Sequence, residues 1–274
     1  MKNEKKFLAL ALSILALTSS CDAFATSNGN EYAPERQQAK ENILNGKTLY
    51  FLGSSVTLGM RSKECAIPDY LSAIDGMNCV KDAVSGTTLI SEEEGDSYYA
   101  RLVHSDRFDK NARIDAFVLQ LSTNDAQHDR IEKWGTITAD DVFSPDAFDI
   151  HTTYGAIESI LAYVEKTWDC PIYIYTNAYF GDEGLRSIGN TKGSDYAKLV
   201  DGAKEIVAKY DGKEGYEVRL VDLFNDEAFN DISDDDYRFY MADAIHPYRT
   251  GYLYWWTPYF EKVLLEDFAE EEKV

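Results

Sequence analysis

The chain has 274 residues, of which 45% are apolar and 27% charged, a composition typical of a globular protein with one sizeable core. This composition excludes wholesale disorder and a collagen-like fibre. Asp and Glu number 48 against 27 Lys and Arg, so the net charge is −21. Because such a surface repels polyanions, we expect no nucleic-acid partner and no electrostatic attraction to an anionic membrane.

Residues 1–20 are predicted to be a secretory signal peptide. Lys2, Lys5 and Lys6 give a positive start, and the apolar run 7–17 is too short to span a bilayer as a permanent helix. A buried N-terminal helix is the less favoured interpretation, because the basic start and the small residues at the end both fit export. We therefore expect an exported protein, either secreted or held at a bacterial cell surface.

Two cleavage sites compete after this peptide. Residues 17–21 (LTSSC) resemble a bacterial lipobox, in which Cys21 would be lipidated, although Thr18 stands where that motif has an aliphatic residue. Residues 23–25 (AFA) form an A-x-A site that would release a soluble protein. Both remain open, with a slight preference for lipidation at Cys21 as the only membrane contact. We expect residues 21–45 to form a polar tether and 46–274 the folded domain.

The remaining cysteines are Cys65, Cys79 and Cys170, and none belongs to a C-x-x-C pair. The histidines form no H-x-x-x-H pair either, so neither a zinc site nor another metal site is expected. An oxidising exterior would permit Cys65 and Cys79 to pair. We prefer the interpretation that both are small buried apolar side chains.

Five short apolar runs alternate with segments of helical spacing. The runs are 48–52 (TLYFL), 78–84 (NCVKDAV), 116–121 (AFVLQL), 172–176 (IYIYT) and 217–223 (EVRLVDL). Their β-branched and aromatic residues are typical of strands covered on both faces. Helices are predicted over 154–168, over 194–210 with Ser194 as N-cap, and over 251–268 with a kink at Pro258. This alternation predicts a three-layer α/β/α sandwich with a five-stranded parallel sheet.

Polar residues follow several of these runs, at the strand ends where parallel sheets bind their ligands. They are 53–57 (GSSVT), 85–88 (SGTT) and 122–125 (STND), and 243–247 (DAIHP) precedes the last helix. Each segment alone is a weak signal: Gly86 could be a turn glycine, Asn124 a turn cap and His246 an ordinary loop histidine. The four together, gathered at one edge of the sheet, favour a catalytic site.

This ordered set resembles the SGNH hydrolases, also called GDSL esterases and lipases, which are named for Ser, Gly, Asn and His in four successive blocks. The resemblance covers about residues 46–262. It implies a flavodoxin-like SGNH hydrolase fold and a carboxylic ester hydrolase that uses neither metal nor cofactor. Ser54 stands where the family's G-D-S-L block has Asp, and Ser122 replaces the Gly of its G-x-N-D block. The nucleophile aligns with Ser55, and the family's Asn is retained at Asn124.

The chemistry requires these residue types. A serine hydroxyl such as that of Ser55 is a weak nucleophile until a base takes its proton, which His246 can do near neutral pH. Asp243 would accept a hydrogen bond from the other ring nitrogen and stabilise the imidazolium. The backbone N–H groups of Ser55 and Gly86 and the side-chain amide of Asn124 would form the oxyanion hole.

The expected substrate is a small-molecule or glycan ester. Export suggests short acyl or acetyl groups, on polysaccharide or peptidoglycan or free in the environment. An acyltransferase using the same triad is a related alternative. A catalytically retired, surface glycan-binding lipoprotein is an alternative of another class, suggested by Ser54 and Ser122 and opposed by the retained Asp243 and His246.

Two further segments invite interpretation. Residues 126–149 fit no clear helix or strand and are predicted to be a loop that selects the substrate. The aromatic run 252–256 (YLYWW) is predicted to be a helix face packed on the sheet rather than a sugar-stacking platform.

Overall fold

A computed structural model describes residues 26–90, 96–104, 107–213 and 215–271. The predicted signal peptide, Cys21 and the A-x-A site at 23–25 lie outside the described residues, so export and lipidation stay predictions. Within the described ranges, no helix combines the length and the hydropathy needed to cross a bilayer.

The core of the protein is one parallel sheet, and each strand matches a predicted apolar run to within two residues at either end. The strands run in the spatial order β2-β1-β3-β4-β5. Their bounds are β1 Thr48–Gly53, β2 Asn78–Ala83, β3 Ala116–Gln120, β4 Ile172–Tyr175 and β5 Val218–Val221. The predicted α/β class with five parallel strands is thereby confirmed.

Helices cover both faces of the sheet. They are α1 Ser55–Leu58, α2 Ile67–Asp75, α3 Tyr98–His104, α4 Thr153–Trp168, α5 Gly193–Tyr210, α6 Glu227–Asn230, α7 Asp234–Tyr240, α8 Arg249–Gly251 and α9 Thr257–Glu271. α2 packs with α9 on one face, and α3, α4 and α5 pack side by side on the other. The central strands β3 and β4 are therefore buried along their whole length, whereas the edge strands β2 and β5 are partly exposed.

The predicted N-cap at Ser194 is wrong. α5 begins one residue earlier, after Lys192, and Ser194 lies inside its first turn. The N–H and the hydroxyl of Ser194 both donate to the Asp182 carboxylate, at 2.9 and 2.8 Å. These hydrogen bonds lower the pKa of Asp182. A carboxylate from the preceding loop thus satisfies the start of this helix, in place of a local cap.

The last helix departs from the predicted one. It begins at Arg249 and passes through a π-helical turn, Tyr252–Trp256, before continuing as α9. Pro258 is the second residue of α9 and has no N–H to donate to the carbonyl of Tyr254, four residues earlier, which lies inside the π-helical turn. The irregularity therefore falls on the turn that precedes the proline, where a proline disturbs a continuous helix. The aromatic run is packed in the core as predicted, except for Tyr254, which is 53% exposed.

The predicted tether is not free along its described part. Asn28 is fully buried, with its Nδ2 donating to the carbonyl of Arg61 at 2.9 Å and its Oδ1 accepting from the N–H of Arg249 at 3.0 Å. The carbonyl of Tyr32 accepts from the hydroxyl of Tyr70 at 2.7 Å. Hydrogen bonds hold this segment to the domain. Because such contacts leave no apolar periodicity in the sequence, the pattern did not reveal that the segment packs on the domain.

A buried ion pair holds the second half of the 126–149 segment. Glu158 on α4 and Lys209 on α5 are 2.6 Å apart with side chains 0% and 2% exposed. The other oxygen of Glu158 accepts from the N–H and the hydroxyl of Thr138, at 3.0 and 2.8 Å. The Lys209 ammonium also lies 5.5 Å from the ring centroids of Phe143 and Phe148.

This packing corrects the prediction for the loop. The carbonyl of Phe143 lies 3.4 Å from the hydroxyl of Tyr216, which precedes β5 and so stands at the amino edge of the sheet. The second half of the loop therefore does not lie at the carboxyl edge, where a substrate-selecting loop would be needed. Only the first half stays there, since the N–H of His128 donates to the carbonyl of Asn190 after β4.

Cys65 and Cys79 are free thiols, as is the buried Cys170. Burial raises the pKa of Cys79 and of Cys170 to about 12, and it raises that of Cys65 as well. Because the thiolate is the reactive form, none of the three is set up as a nucleophile.

Candidate active site

The sheet brings three of the predicted blocks to one edge. β1 lies between β2 and β3, with Gly53 opposite Ala83 and Leu52 opposite Leu119. The segments that follow these strands carry Ser55, Gly86 and Asn124. In a sheet of this strand order the gap between β1 and β3 is the switch point where ligands bind.

The two adjacent serines have different surroundings. Ser55 is the first residue of α1, and its Oγ lies 2.8 Å from Nε2 of His246. Ser54 is fully buried, and its Oγ accepts a hydrogen bond from Nε2 of Gln120 at 3.3 Å. The structure therefore places Ser55, and not Ser54, against the histidine.

Asp243 holds the opposite side of the His246 ring. Its Oδ1 and Oδ2 each lie 2.9 Å from Nδ1, and Oδ1 also accepts the N–H groups of Ile245 and His246. Burial by itself raises the pKa of the Asp243 carboxyl, but the ring and charge of His246 and these two N–H groups outweigh it. The net pKa of Asp243 lies below its ordinary value.

These contacts determine the tautomer of the neutral ring. An ionised carboxylate can only accept hydrogen bonds, so Nδ1 of His246 carries the proton it shares with Asp243. Nε2 is then unprotonated and accepts from the hydroxyl of Ser55, as a general base must. The loop that carries both residues is closed by an isolated β-bridge between Met241 and Pro247. This bridge holds Asp243 and His246 in a fixed relative position.

Gly86 lies in an open, exposed turn. Its φ is +82°, a conformation that residues with a Cβ adopt rarely, and nothing lies within 4 Å of the place a Cβ would occupy. Among the described residues, none accepts a hydrogen bond from the backbone N–H of Ser55 or of Gly86. Two of the predicted oxyanion donors are thus free of protein acceptors.

Asn124 is tied to the Gly86 turn. Its Nδ2 donates to the carbonyl of Thr87 at 2.9 Å, which uses one of the two amide hydrogens. Its backbone N–H donates to the hydroxyl of Ser122 at 3.1 Å. The hydroxyl of Ser122 therefore supports the turn that carries Asn124.

Asp125 follows Asn124 and is buried, at 1% exposure. Its carboxylate accepts from the N–H of Leu89 at 3.0 Å and from the hydroxyl of Thr153 at 3.2 Å. Burial raises the pKa of Asp125 to about 6, against these stabilising hydrogen bonds. Asp125 connects the segments after β2 and β3 to the start of α4, and no motif in the sequence pointed to this role.

Arg101 is a second functional residue to which no motif in the sequence pointed. Its side chain is 2% exposed and pairs with Asp82 at 2.8 Å. Separate guanidinium nitrogens donate to the carbonyl of Gly53 at 2.6 Å and to the hydroxyl of Thr87 at 3.0 Å. Gly53 precedes the two serines and Thr87 follows Gly86, so this arginine joins the two turns. The available signal was a lone arginine in an aromatic and apolar helix.

No group of three His, Cys, Asp or Glu side chains is arranged to hold a metal ion in the part of the chain that the structure describes.

Comparison with known proteins bears on the fold. No family model and no curated protein matches the chain. A solved protein from Lactobacillus plantarum matches at 20% identity with a TM-score of 0.58, over 80% of this chain and 97% of its own. A possible lipase from Chitinophaga pinensis matches at 13% identity with a TM-score of 0.50, over 80% of this chain and 99% of its own. Identities this low show a common fold alone.

Fold and site together define an α/β protein of the three-layer, parallel-sheet class. Its carboxyl edge carries a serine, a histidine and an aspartate joined by hydrogen bonds, beside two backbone N–H groups that have no acceptor in the described part of the protein.

Proposed function

We propose that this chain is a serine esterase of the SGNH type, which cleaves carboxylic esters through an acyl-enzyme on Ser55. The observation that carries the proposal is a pair of contacts made by the His246 ring. Its Nε2 lies 2.8 Å from Ser55 Oγ, and its Nδ1 lies 2.9 Å from the Asp243 carboxylate. A nucleophile, its base and the group that orients the base are in contact, as acyl transfer requires. The common fold with a protein described as a possible lipase agrees with this chemistry.

The reaction would proceed in two halves. Ser55 Oγ bonds to the ester carbonyl carbon while its proton passes to Nε2 of His246, and the carbonyl oxygen becomes an oxyanion. The N–H groups of Ser55 and Gly86 and the free amide hydrogen of Asn124 would hold that oxyanion. The carbon–oxygen bond to the alcohol then breaks, and the alcohol leaves with the proton from His246. Water repeats the sequence on the acyl-enzyme and releases the acid.

The substrate class forms the finer part of the proposal. The Gly86 turn is exposed and has open space beside it, so a bulky alcohol portion would meet no steric obstacle from this turn. This open side favours a large alcohol portion such as a carbohydrate, and the predicted export favours short acyl groups such as acetyl. The proposed setting is outside the cell, secreted or lipid-anchored at Cys21, as the signal-peptide pattern suggests.

The proposal is tested by labelling with a fluorophosphonate, a reagent that phosphonylates activated serines. We expect the wild type and Ser54→Ala to be labelled and Ser55→Ala to remain unlabelled, with all three folded by circular dichroism. Hydrolysis of 4-nitrophenyl esters of increasing acyl length, followed by acetylated sugars, would then define the substrate. A folded wild type that neither labels nor hydrolyses any of these esters would contradict the proposal and favour a retired glycan-binding protein. Acyl transfer would appear as sugar ester formed at the expense of free acid.

A further inference from the structure

Gln120 is a buried polar side chain directly beneath the proposed nucleophile. It is the last residue of β3 and is 2% exposed. Its Oε1 accepts from the N–H of Ser54 at 2.9 Å, from the N–H of Thr57 at 3.1 Å and from the Thr57 hydroxyl at 2.7 Å. Its Nε2 faces the Ser54 hydroxyl at 3.3 Å. One side chain from the neighbouring strand therefore contacts residues on both sides of Ser55.

The donor directions in this cluster follow from the chemistry of the amide. A carbonyl oxygen only accepts hydrogen bonds, so the Thr57 hydroxyl donates to Gln120. The oxygen of that hydroxyl then accepts from Tyr175, whose OH lies 2.6 Å away and whose side chain is fully buried. The Tyr175–Thr57–Gln120 chain thus has one consistent orientation, which gives the cluster a single arrangement.

Gln120 also does the work of a helix cap. A serine at the N-cap ordinarily accepts a hydrogen bond from the N–H two or three residues later, but Ser54 makes no such bond. The N–H of Thr57, which such a cap would satisfy, goes to Gln120. The cluster has no spare room, because a Cβ on Gly53 would lie 1.8 Å from the Thr57 hydroxyl and 2.7 Å from Oε1 of Gln120.

We propose that Gln120 is a positioning residue that sets the orientation of Ser55, an inference that rests on the proposed function. It holds the backbone on either side of Ser55, at Ser54 and at Thr57, and so fixes where Oγ and the free N–H of Ser55 point. Both groups must be aligned at once, the hydroxyl on His246 and the N–H on the developing oxyanion. A misplacement of about 1 Å at such a site costs on the order of 10²-fold in rate.

The test uses Gln120→Met, which keeps the length of the side chain and removes all four hydrogen bonds. We expect kcat and the rate of fluorophosphonate labelling to fall about 10²-fold with KM changed only a few-fold. Gln120→Glu keeps the acceptors for both N–H groups and is expected to retain at least ten times the kcat of the methionine variant. Such a split between kcat and KM, with rescue by the conservative variant, is not expected from a purely structural role.

A stability control separates positioning from loss of fold. Glu158→Gln changes another buried, hydrogen-bonded side chain, whose partners Thr138 and Lys209 lie outside the site. It should lower the melting temperature while kcat stays within a few-fold of the wild type. Equal labelling of Gln120→Met and wild type, or an equal loss in Glu158→Gln, would overturn the inference.

Two outcomes remain to be distinguished. If Gln120→Met does not fold, Thr57→Val decides, because it removes one donor to Oε1 with little change of shape. It is expected to lower kcat at nearly constant KM, and an unchanged kcat would count against the role of Gln120. A wild type that is never labelled refutes the proposed function itself, which is a different result from equal labelling of wild type and variants.

Discussion

Asp243 contacts His246 at two points: its carboxylate lies 2.9 Å from ring Nδ1, and its Oδ1 also accepts a hydrogen bond from the backbone N–H of the same histidine at 2.8 Å. The side chain of the acid thus orients both the ring and the backbone of the base. The carboxylate is ionised over a wide pH range, because His246 and the nearby N–H groups hold its pKa below the ordinary value despite burial. Ser55, 191 residues away in the chain, meets a ring whose tautomer is already determined.

Asp243→Asn is expected to lower kcat about 10⁴-fold, the loss typical when the orienting acid of a serine triad becomes an amide. The asparagine can present an N–H group to Nδ1, which favours the wrong tautomer. The measurement is steady-state hydrolysis of a 4-nitrophenyl ester, with Asp231→Asn as an exposed control. Retention of more than a tenth of the wild-type kcat by the Asp243 variant would remove the aspartate from the mechanism.

Asn124→Ala is expected to lower kcat by about 10²- to 10³-fold, with KM changed only slightly. The amide hydrogen not used on Thr87 would act on the oxyanion, which forms only after the substrate has bound. The exposed Asn111, whose amide contacts Asp109, supplies a matched Asn→Ala control. A variant whose KM rises while kcat holds would assign Asn124 to substrate binding.

Arg101→Lys is expected to lower the free energy of unfolding by about 3 kcal/mol, because an ammonium group cannot reproduce the forked hydrogen bonds to buried acceptors. It should also lower kcat, since the turns carrying Gly53 and Thr87 would no longer be joined by hydrogen bonds to one side chain. Arg107→Lys is the matched control: it lies 3.4 Å from the same Asp82, but its side chain is 49% exposed, so about 1 kcal/mol or less is expected. Urea unfolding and ester hydrolysis measure the two effects, and equal losses in both variants would refute the special role of Arg101.

Asp125→Asn tests the buried carboxyl beside Asn124. The folded protein raises its pKa from 3.8 to about 6, so it binds this proton more tightly than the unfolded chain does. The wild type therefore loses stability as the pH rises through this interval, by about 3 kcal/mol for a shift of about two units. The asparagine variant lacks this loss, and its stability relative to wild type should increase by about that amount between pH 3.5 and 7.

Urea unfolding at the two pH values measures this difference, and shifts from other carboxyls, such as Asp75, are common to both proteins and cancel. Asp226→Asn provides a control of opposite sign. The pKa of Asp226 is lowered by the N–H of Phe229 and the hydroxyl of Tyr259, so this variant should become relatively less stable as the pH rises. A relative stability of Asp125→Asn that does not change with pH would mean that the carboxyl is not perturbed.

The parallel sheet and the predicted site residues could be read from the sequence because each depends on short-range pattern. The apolar runs located all five strands, the polar segments after three of them contain Ser55, Gly86 and Asn124, and the segment before the last helix contains Asp243 and His246. The roles predicted for these residues came from the resemblance to the SGNH hydrolases. The predictions were wrong where a hydrogen bond or ion pair expected from a nearby side chain was supplied by one distant in the sequence. Ser194 was predicted as a cap because nothing in its neighbourhood revealed Asp182, and the loop after β3 gave no sign of the ion pair between Glu158 and Lys209.

The sequence by itself determined the class of fold and the chemical groups available, because strand periodicity and residue type are local properties of a chain. Only the tertiary structure decided which of two adjacent serines faces His246 and which residues hold the turns in place. Gln120 and Arg101 act across neighbouring strands and helices, 63 and 48 residues from the groups they hold at Thr57 and Gly53. Hydrogen bonds over such separations depend on the register and twist of the sheet, which no local pattern encodes.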